Sequence, residues 1–338
     1  MPGRIAYIQP TLDSLLFQQT QTVDQFYLVL PEQPKDAPPY IMPTFLNQYI
    51  QRGLITVLWP SFDYGAIDKI LHTLLEEDER FQKLLQQQQQ LERHQIRILY
   101  LDDDMIYDPS LIQLLASKSD QYPDSVVALS GANLRSHFRQ IGHSNPRKNR
   151  HPYLYYYLGG VDRFGDPLVD IVQGFMGVMV RLSFFDPNVS EFVDMATKVV
   201  VGNNNNKTTV RVPDAVRRSD DFVICGYLEY RGVPRRCVDG GGLKPVTNPV
   251  PSQIGNLGKT MNRNAMGAVT YLQSQWNIWQ NYSFVNLETL PENIQQLIDC
   301  EAGRAESCPI QVKDASGKLQ MWKVTELLDG LLLNHYTK

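Results

Sequence analysis

The chain has 338 residues, 43% hydrophobic and 20% charged, an ordinary globular mixture too rich in apolar side chains for a disordered or fibrous chain. A chain of this size removes roughly 75% of its unfolded surface from water, and its length corresponds to about two domains. The formal net charge of -4 lacks the broad basic field of nucleic-acid binders, so DNA and RNA are not expected partners.

Met1–Phe17 carries one arginine and only short apolar stretches, without the apolar core of a signal peptide. No later run approaches the roughly 18 apolar residues of a membrane span, so the expectation is a cytoplasmic chain with no transmembrane segment. The sequons at Asn188, Asn206 and Asn281 then carry no weight. Cys225, Cys237, Cys300 and Cys308 form no Cys-x-x-Cys pair, which argues against a disulfide framework or a structural zinc site and predicts buried or incidental thiols.

Short apolar runs bounded by Pro, Gly or polar residues predict buried strands at Arg4–Gln9, Gln25–Leu30, Ile55–Trp59, Ile96–Leu101 and Val126–Leu129. Between them, Ile67, Ile70, Leu71, Leu74 and Leu75 recur at helical spacing, and Asp108-Pro109 reads as an N-cap with an N1 proline. Such alternation predicts a mainly parallel sheet with helices on both faces and ligands beyond the strands' carboxyl ends. The Gln86–Gln90 tract extends a polar helix, whereas Asn203–Asn206 reads as a loop. From Asp239 the composition turns to Gly and Pro, predicting a long loop, then a helix near Asn264–Trp279 and a small helical appendage around Leu327–Leu332. This divides the chain into a main α/β domain over 1–240 and a loop, lid and helical extension over 241–338.

The strongest chemical signal is Leu99-Tyr100-Leu101-Asp102-Asp103-Asp104, an apolar strand running into three carboxylates. Strand alternation would aim Asp102 and Asp104 to one side. Two charges about 6 Å apart repel by roughly 3 kcal/mol at an effective dielectric near 20, a strain that a cation or donor groups would offset. Hard oxygens without His or Cys favour Mg²⁺, Mn²⁺ or Ca²⁺. An EF-hand starting at Asp102 fails, because Ile106, Tyr107 and Gln113 stand where an oxygen ligand, glycine and glutamate are needed. The plain structural alternative is an acidic loop leading to the Asp108 cap. A second acidic pair, Ser219-Asp220-Asp221, heads a helix through Val223, Ile224, Tyr227 and Leu228. Ser219 or Asp220 would cap it, and the macrodipole accounts for one carboxylate, leaving the other free to act as a general base.

These stretches, together with Val172-Gln173-Gly174-Phe175-Met176-Gly177-Val178, Phe184-Phe185 and Asp63-Tyr64-Gly65-Ala66-Ile67-Asp68-Lys69, resemble in order the signatures of glycosyltransferases with the GT-A fold. The similarity covers roughly residues 4–240. It implies a Rossmann-like α/β domain plus a small C-terminal helical extension. It further implies a nucleotide-sugar donor, UDP-linked, a glycan or glycoconjugate acceptor, and Mn²⁺ or Mg²⁺ as cofactor. Carried over, it makes Asp104 the direct metal ligand, and Asp102 a ribose or second metal contact assisted by Asp103. Gln9, Pro10 and Thr11 would meet base and ribose at the end of the first strand, and Asp63 would lie near the nucleotide. Lys69 would balance diphosphate charge or be an exposed helix lysine, and Gly174 would let the backbone approach the donor sugar or acceptor. Asp221 is the preferred catalytic carboxylate and Asp220 the reserve, with inversion preferred to retention.

The chain departs from that pattern in offering no histidine between His151 and His335 as a third metal ligand, so His335 folds back or water and phosphate complete the sphere. His137, His143 and His151 lie in a basic stretch that reads as an acceptor loop or a solvated charged loop. Tyr153 and Tyr155–Tyr157 read as a sugar platform or as packing. Gln253–Thr260 ends like a P-loop but lacks its first glycine and the strand before it, which argues against an ATPase and leaves Lys259 as a phosphate contact on a lid over the donor. Two other readings are a nucleotidyltransferase, whose glycine-rich basic signature is missing after Gln9, and a non-catalytic carbohydrate-binding protein.

Overall fold

The computed structural model describes residues 2–35, 37–87, 90–134, 154–158, 166–201, 208–211, 216, 219–243, 246–248, 268–269, 271–273, 275–279, 312–313 and 319–320. The Asn203–Asn206 tract, the histidine-rich basic stretch, the Gln253–Thr260 loop, Leu327–Leu332, His335, Cys300 and Cys308 lie outside them. The chain forms two compact units, residues 1–132 with 157–278, and residues 133–156 with 279–338. In the second, β14 (Val312–Lys313) pairs antiparallel with β15 (Leu319–Gln320).

The first unit is a mixed α/β structure of small sheets and helices. Its opening residues fold differently from the expected strand: Pro2–Tyr7 is a 3-10 turn and Gln9–Leu16 is helix α1. The reason is periodicity. Ile5, Ile8, Leu12 and Leu15 recur every three or four residues and all are buried, and Pro10 sits in the helix's first turn, where its missing N–H is harmless. Gln9, Pro10 and Thr11 therefore begin a helix and do not end a strand. The first three of those apolar residues pack with Leu30, Leu46, Tyr49 and Ile55, under α2 (Thr44–Gln51) and the parallel pair β1 (Tyr27–Val29) and β2 (Thr56–Leu58).

The expected helix after Ile67 is α3 (Asp68–Gln86), with Ile70, Leu71, Leu74 and Phe81 buried along one stripe. It leads through Ile96 into β3 (Arg97–Tyr100), followed by the acidic turn and β4 (Met105–Ile106). Helix α4 (Leu111–Gln121) starts two residues beyond Pro109, because Asp108 Oδ1 takes the Ser110 N–H and hydroxyl and spends its capping capacity one turn early. Next in chain order come β5 (Val126–Ala128), β6 (Ser130–Leu134, whose last two residues are counted with the second unit), β7 (Leu154–Leu158, which contains Tyr155–Tyr157 and whose first three residues are counted with the second unit), β8 (Ile171–Val172) and β9 (Val178–Arg181). Helix α5 (Ser190–Thr197), the antiparallel ribbon β10 (Lys198–Val201) and β11 (Thr208–Arg211), helix α6 (Asp220–Tyr230), β12 (Arg235–Cys237) and β13 (Val246–Thr247) complete the unit. Residues 268–269, 271–273 and 275–276 are helical, at the expected place.

The largest sheet has the order β12-β5-β9-β3. β12 is parallel to β5, while β9 runs antiparallel to both β5 and β3, so β3, β5 and β12 point one way and β9 returns between them. β5 and β9 are buried at every residue, as strands covered on both faces must be. Leu99, Val127 and Met179 face α4 through Leu111 and Leu115. On the same side Arg97 donates to the Ala116 carbonyl and Arg181 to the Ser119 carbonyl in α4's last turn, where the helix dipole favours cations. Cys225 and Cys237 are buried thiols, as expected.

The register Tyr100 to Val178 matters for function. It brings Gly174–Gly177, which precede β9, to the edge where β3 ends in Asp102. Gly177 turns the chain there at φ +96°, and a Cβ would meet Leu115 and Leu101 at 3.1 and 3.2 Å.

Candidate functional site

Four segments distant in sequence converge at this edge. Asp63 accepts the Gly65 N–H at 2.7 Å and the Lys35 N–H at 2.7 Å, forming the turn into α3. Asp68, buried, accepts the Tyr64 N–H and meets His72 Nε2 at 3.2 Å; burial raises its carboxyl above the usual range. This bracing fixes the first turn of α3 and with it Lys69. The Lys69 ammonium lies 2.6 Å from Asp102 Oδ1 and 2.5 Å from Asp220 Oδ2, joining the end of β3 to the start of α6. Burial alone would lower its pKa, but the charges of Asp102, Asp220 and Asp221 outweigh that and hold it well above the usual lysine value.

Ser219 takes the N-cap position of α6, its carbonyl accepting from Phe222 and Val223, so Asp220 and Asp221 both fall in the first turn. Asp220 turns to Lys69. Asp221 Oδ1 accepts the Gly174 N–H at 3.0 Å. Burial, the Asp220 charge beside it and the Asp102 charge push the Asp221 carboxyl well above the usual range, against the pull of Lys69 and the Gly174 N–H. The structure thus gives the two neighbours different partners, which the sequence left open.

Gly174 has no room for a side chain: a Cβ would sit 2.8 Å from Lys69 Nζ and 3.3 Å from both Asp102 Oδ1 and Tyr100 Cε2. Lys69 cannot swing aside without leaving two carboxylates. Gly174→Ala is therefore expected to destabilise the fold by about 1–3 kcal/mol, measurable by urea denaturation; an unchanged midpoint would mean that the ion pairs yield freely.

The three aspartates take different partners. Asp102 keeps the strand's alternation with Ile98 and Tyr100. The chain then turns at Asp103 and Asp104, and both reach Arg4, whose Nη2 lies 2.7 Å from Asp103 Oδ1 and 2.7 Å from Asp104 Oδ2. Strand geometry ends at Tyr100, so strand alternation does not govern where Asp104 points relative to Asp102. Burial raises Asp104 above the usual carboxylate range, Arg4 pulls it back, and Asp102 and Asp103 raise it further. The turn is braced from α1: Thr11 Oγ1 donates to the Asp103 carbonyl, and the Tyr107 N–H donates to Ser14 Oγ. Tyr107 is buried, and its hydroxyl accepts the Asp102 N–H and donates to the Asp102 carbonyl, both at 3.0 Å.

Lys69, Asp102, Gly174, Asp220 and Asp221 thus form one cluster, with Asp103, Asp104 and Thr11 beside it. Asp63 stands one turn away, and Gln9 Nε2 reaches the Tyr49 hydroxyl. Pro10 has only its helix-starting role. Sequence reasoning missed Arg4, which no motif marks, and Tyr100, which alternation with Asp102 could have revealed. Tyr100 is buried with a hydroxyl that has no partner among the described residues, and its ring lies under the Lys69 ammonium at 5.5 Å.

Among the described residues no group of three or more His, Cys, Asp or Glu side chains is arranged to hold a metal alone, and no helix is long and apolar enough to cross a membrane. Asp102 Oδ2 and Asp104 Oδ1 have no protein partner among the described residues, and their side chains are 35% and 40% exposed. Two open hard-oxygen donors fit a Mg²⁺ or Mn²⁺ ion that takes its other ligands from phosphate and water. No protein-family model matches the chain, and no curated protein matches it.

Proposed function

We propose that the protein is a metal-dependent glycosyltransferase of GT-A type, moving a sugar from a UDP-linked nucleotide sugar to a hydroxyl of a glycan or glycoconjugate. One observation carries the reading: three of the segments that resemble that family, at 63–69, 102–104 and 219–221, meet through the Lys69 ammonium, and the fourth, at 172–178, packs against it through Gly174. Independent helix caps and loops would have no reason to meet. The parallel pairs β1–β2 and β12–β5, and the acidic turn at the carboxyl end of β3, support the same α/β architecture.

In this reading Asp104 and Asp102 would hold the divalent ion. When bound, it would supply Lewis-acid neutralisation of the diphosphate charge. Asp221 takes the proton of the acceptor hydroxyl as that oxygen bonds the anomeric carbon and the bond to the diphosphate breaks, its electron pair leaving with the nucleoside diphosphate. A carboxyl raised by burial and by the Asp220 charge suits this work, since its ionised form is more basic than an ordinary carboxylate and takes up the acceptor's proton more readily. Lys69 keeps Asp102 and Asp220 in place, and the Gly174 N–H orients Asp221. In this reading the reaction inverts the anomeric centre, because a carboxylate acting directly on the acceptor accompanies in-line displacement.

A thermal-shift screen of nucleotide sugars with Mn²⁺, Mg²⁺ or chelator tests the proposal. A donor at 100 times its dissociation constant should stabilise the fold by roughly 2.7 kcal/mol. The shift is expected to require metal and to vanish in Asp104→Ala. A full, metal-independent shift in that variant would overturn the cation assignment, and no shift with any donor would overturn the activity.

A further inference from the structure

Arg4 is held too firmly for an incidental surface contact. Its side chain is 11% exposed, whereas Asp103 and Asp104 are each 40% exposed, and a single nitrogen serves both carboxylates. The 3-10 turn that carries it is tied down through Asn248, whose Nδ2 donates to the Tyr7 carbonyl at 2.7 Å and whose N–H donates to the Asp104 carbonyl at 2.8 Å. Thr11, just beyond that turn, adds its bond to the Asp103 carbonyl. The guanidinium and the acidic turn are thus fastened to each other by backbone as well as by charge. Lys69 occupies Asp102 in the same way. Each carboxylate of the turn therefore begins with a protein cation on it.

We infer that Arg4 is a positioning residue that sets how tightly the acidic turn takes a divalent cation, as the resident counter-ion of Asp103 and Asp104. The inference rests on the reading of Asp104 and Asp102 as cation ligands. A guanidinium and a doubly charged ion on the same carboxylate repel each other, so the bound arginine weakens cation binding and removing it strengthens that binding. The same contact keeps the turn's charge balanced before any ligand arrives. Arg4 thereby biases the site toward a cation that comes together with the negative charge of a nucleoside diphosphate.

Titrating the full chain with Mn²⁺ and following the free-ion signal by electron paramagnetic resonance, without nucleotide, separates the outcomes. Arg4→Gln is expected to bind Mn²⁺ about tenfold more tightly than the wild type, and Arg4→Lys, which keeps a charge but reaches one carboxylate, about threefold. Adding Asp104→Asn to Arg4→Gln should abolish the gain. Equal or weaker binding in the Arg4 variants, with wild-type binding lost in Asp104→Asn, overturns the inference and leaves the cation site standing. A gain that survives Asp104→Asn places the ion elsewhere and also overturns it. Absence of Mn²⁺ binding in every protein, even with UDP added, removes the cation reading and this inference together. Circular dichroism and melting verify folding, and if Arg4→Gln fails to fold, the Arg4→Lys titration decides alone.

Discussion

Lys69→Met is expected to destabilise the protein by roughly 2–4 kcal/mol at pH 7, below the 3–5 kcal/mol of a fully buried broken pair because the Lys69 side chain is 25% exposed. Methionine fills the same space but leaves Asp102 and Asp220, from two different segments, without a counter-charge. It also removes the ammonium that opposes the high pKa of Asp221, so three carboxylates are left facing one another. In the wild type the lysine's folded value is raised, so its pairing contributes fully below the ordinary lysine range and is lost only as pH climbs through that higher value. The variant's deficit should therefore be present at neutral pH and stay undiminished up to the ordinary lysine range. Urea denaturation from neutral pH upward measures both, and the thermal midpoint should fall by roughly 5–10 °C. A change under about 0.5 kcal/mol would place these contacts with ordinary surface ion pairs.

Lys69 reads in the sequence equally well as a diphosphate contact or an exposed helix lysine, because nothing local to it reports its partners. Periodicity located β1, β2, β3, β5 and the start of α3, because each has a buried face whose spacing shows in the residues. The same signal misled at Arg4–Gln9, where four apolar residues at intervals of three and four are helical in period but look like a short strand when only the first two are counted. The acidic turn and the paired carboxylates of α6 were legible because consecutive aspartates have few local uses. What those carboxylates touch was not legible. Tyr100 pairing with Val178 across β9 is a non-local fact, and it alone brings Gly174 against Asp102 and Lys69. Arg4 lies about a hundred residues from its partners in a segment with no other charge, so nothing local could mark it.

Asp221→Asn is expected to lower turnover by about 10²- to 10⁴-fold, the usual contribution of a general base, while making the fold more stable by roughly 0.5–2 kcal/mol, as relief of an unfavourable functional group does. The amide oxygen still accepts the Gly174 N–H, but no charge has to be kept beside Asp220 away from water. The sign with pH follows from the raised carboxyl. Between the ordinary carboxylate value and the higher folded one, the native state holds a proton that the unfolded chain has released, so wild-type stability falls as pH rises through that window. The advantage of Asp221→Asn should be absent below the window and complete above it. Wild-type turnover should rise with pH over the same range, because only the ionised carboxylate can take the acceptor's proton. Asp220→Asn supplies the contrast: its carboxylate is a partner of Lys69, so its loss should destabilise the fold at neutral pH. Release of nucleoside diphosphate and urea midpoints across pH 4 to 8 give both readouts. Retained turnover in Asp221→Asn would remove it as the base, and a fall in stability would show that its charge serves the fold.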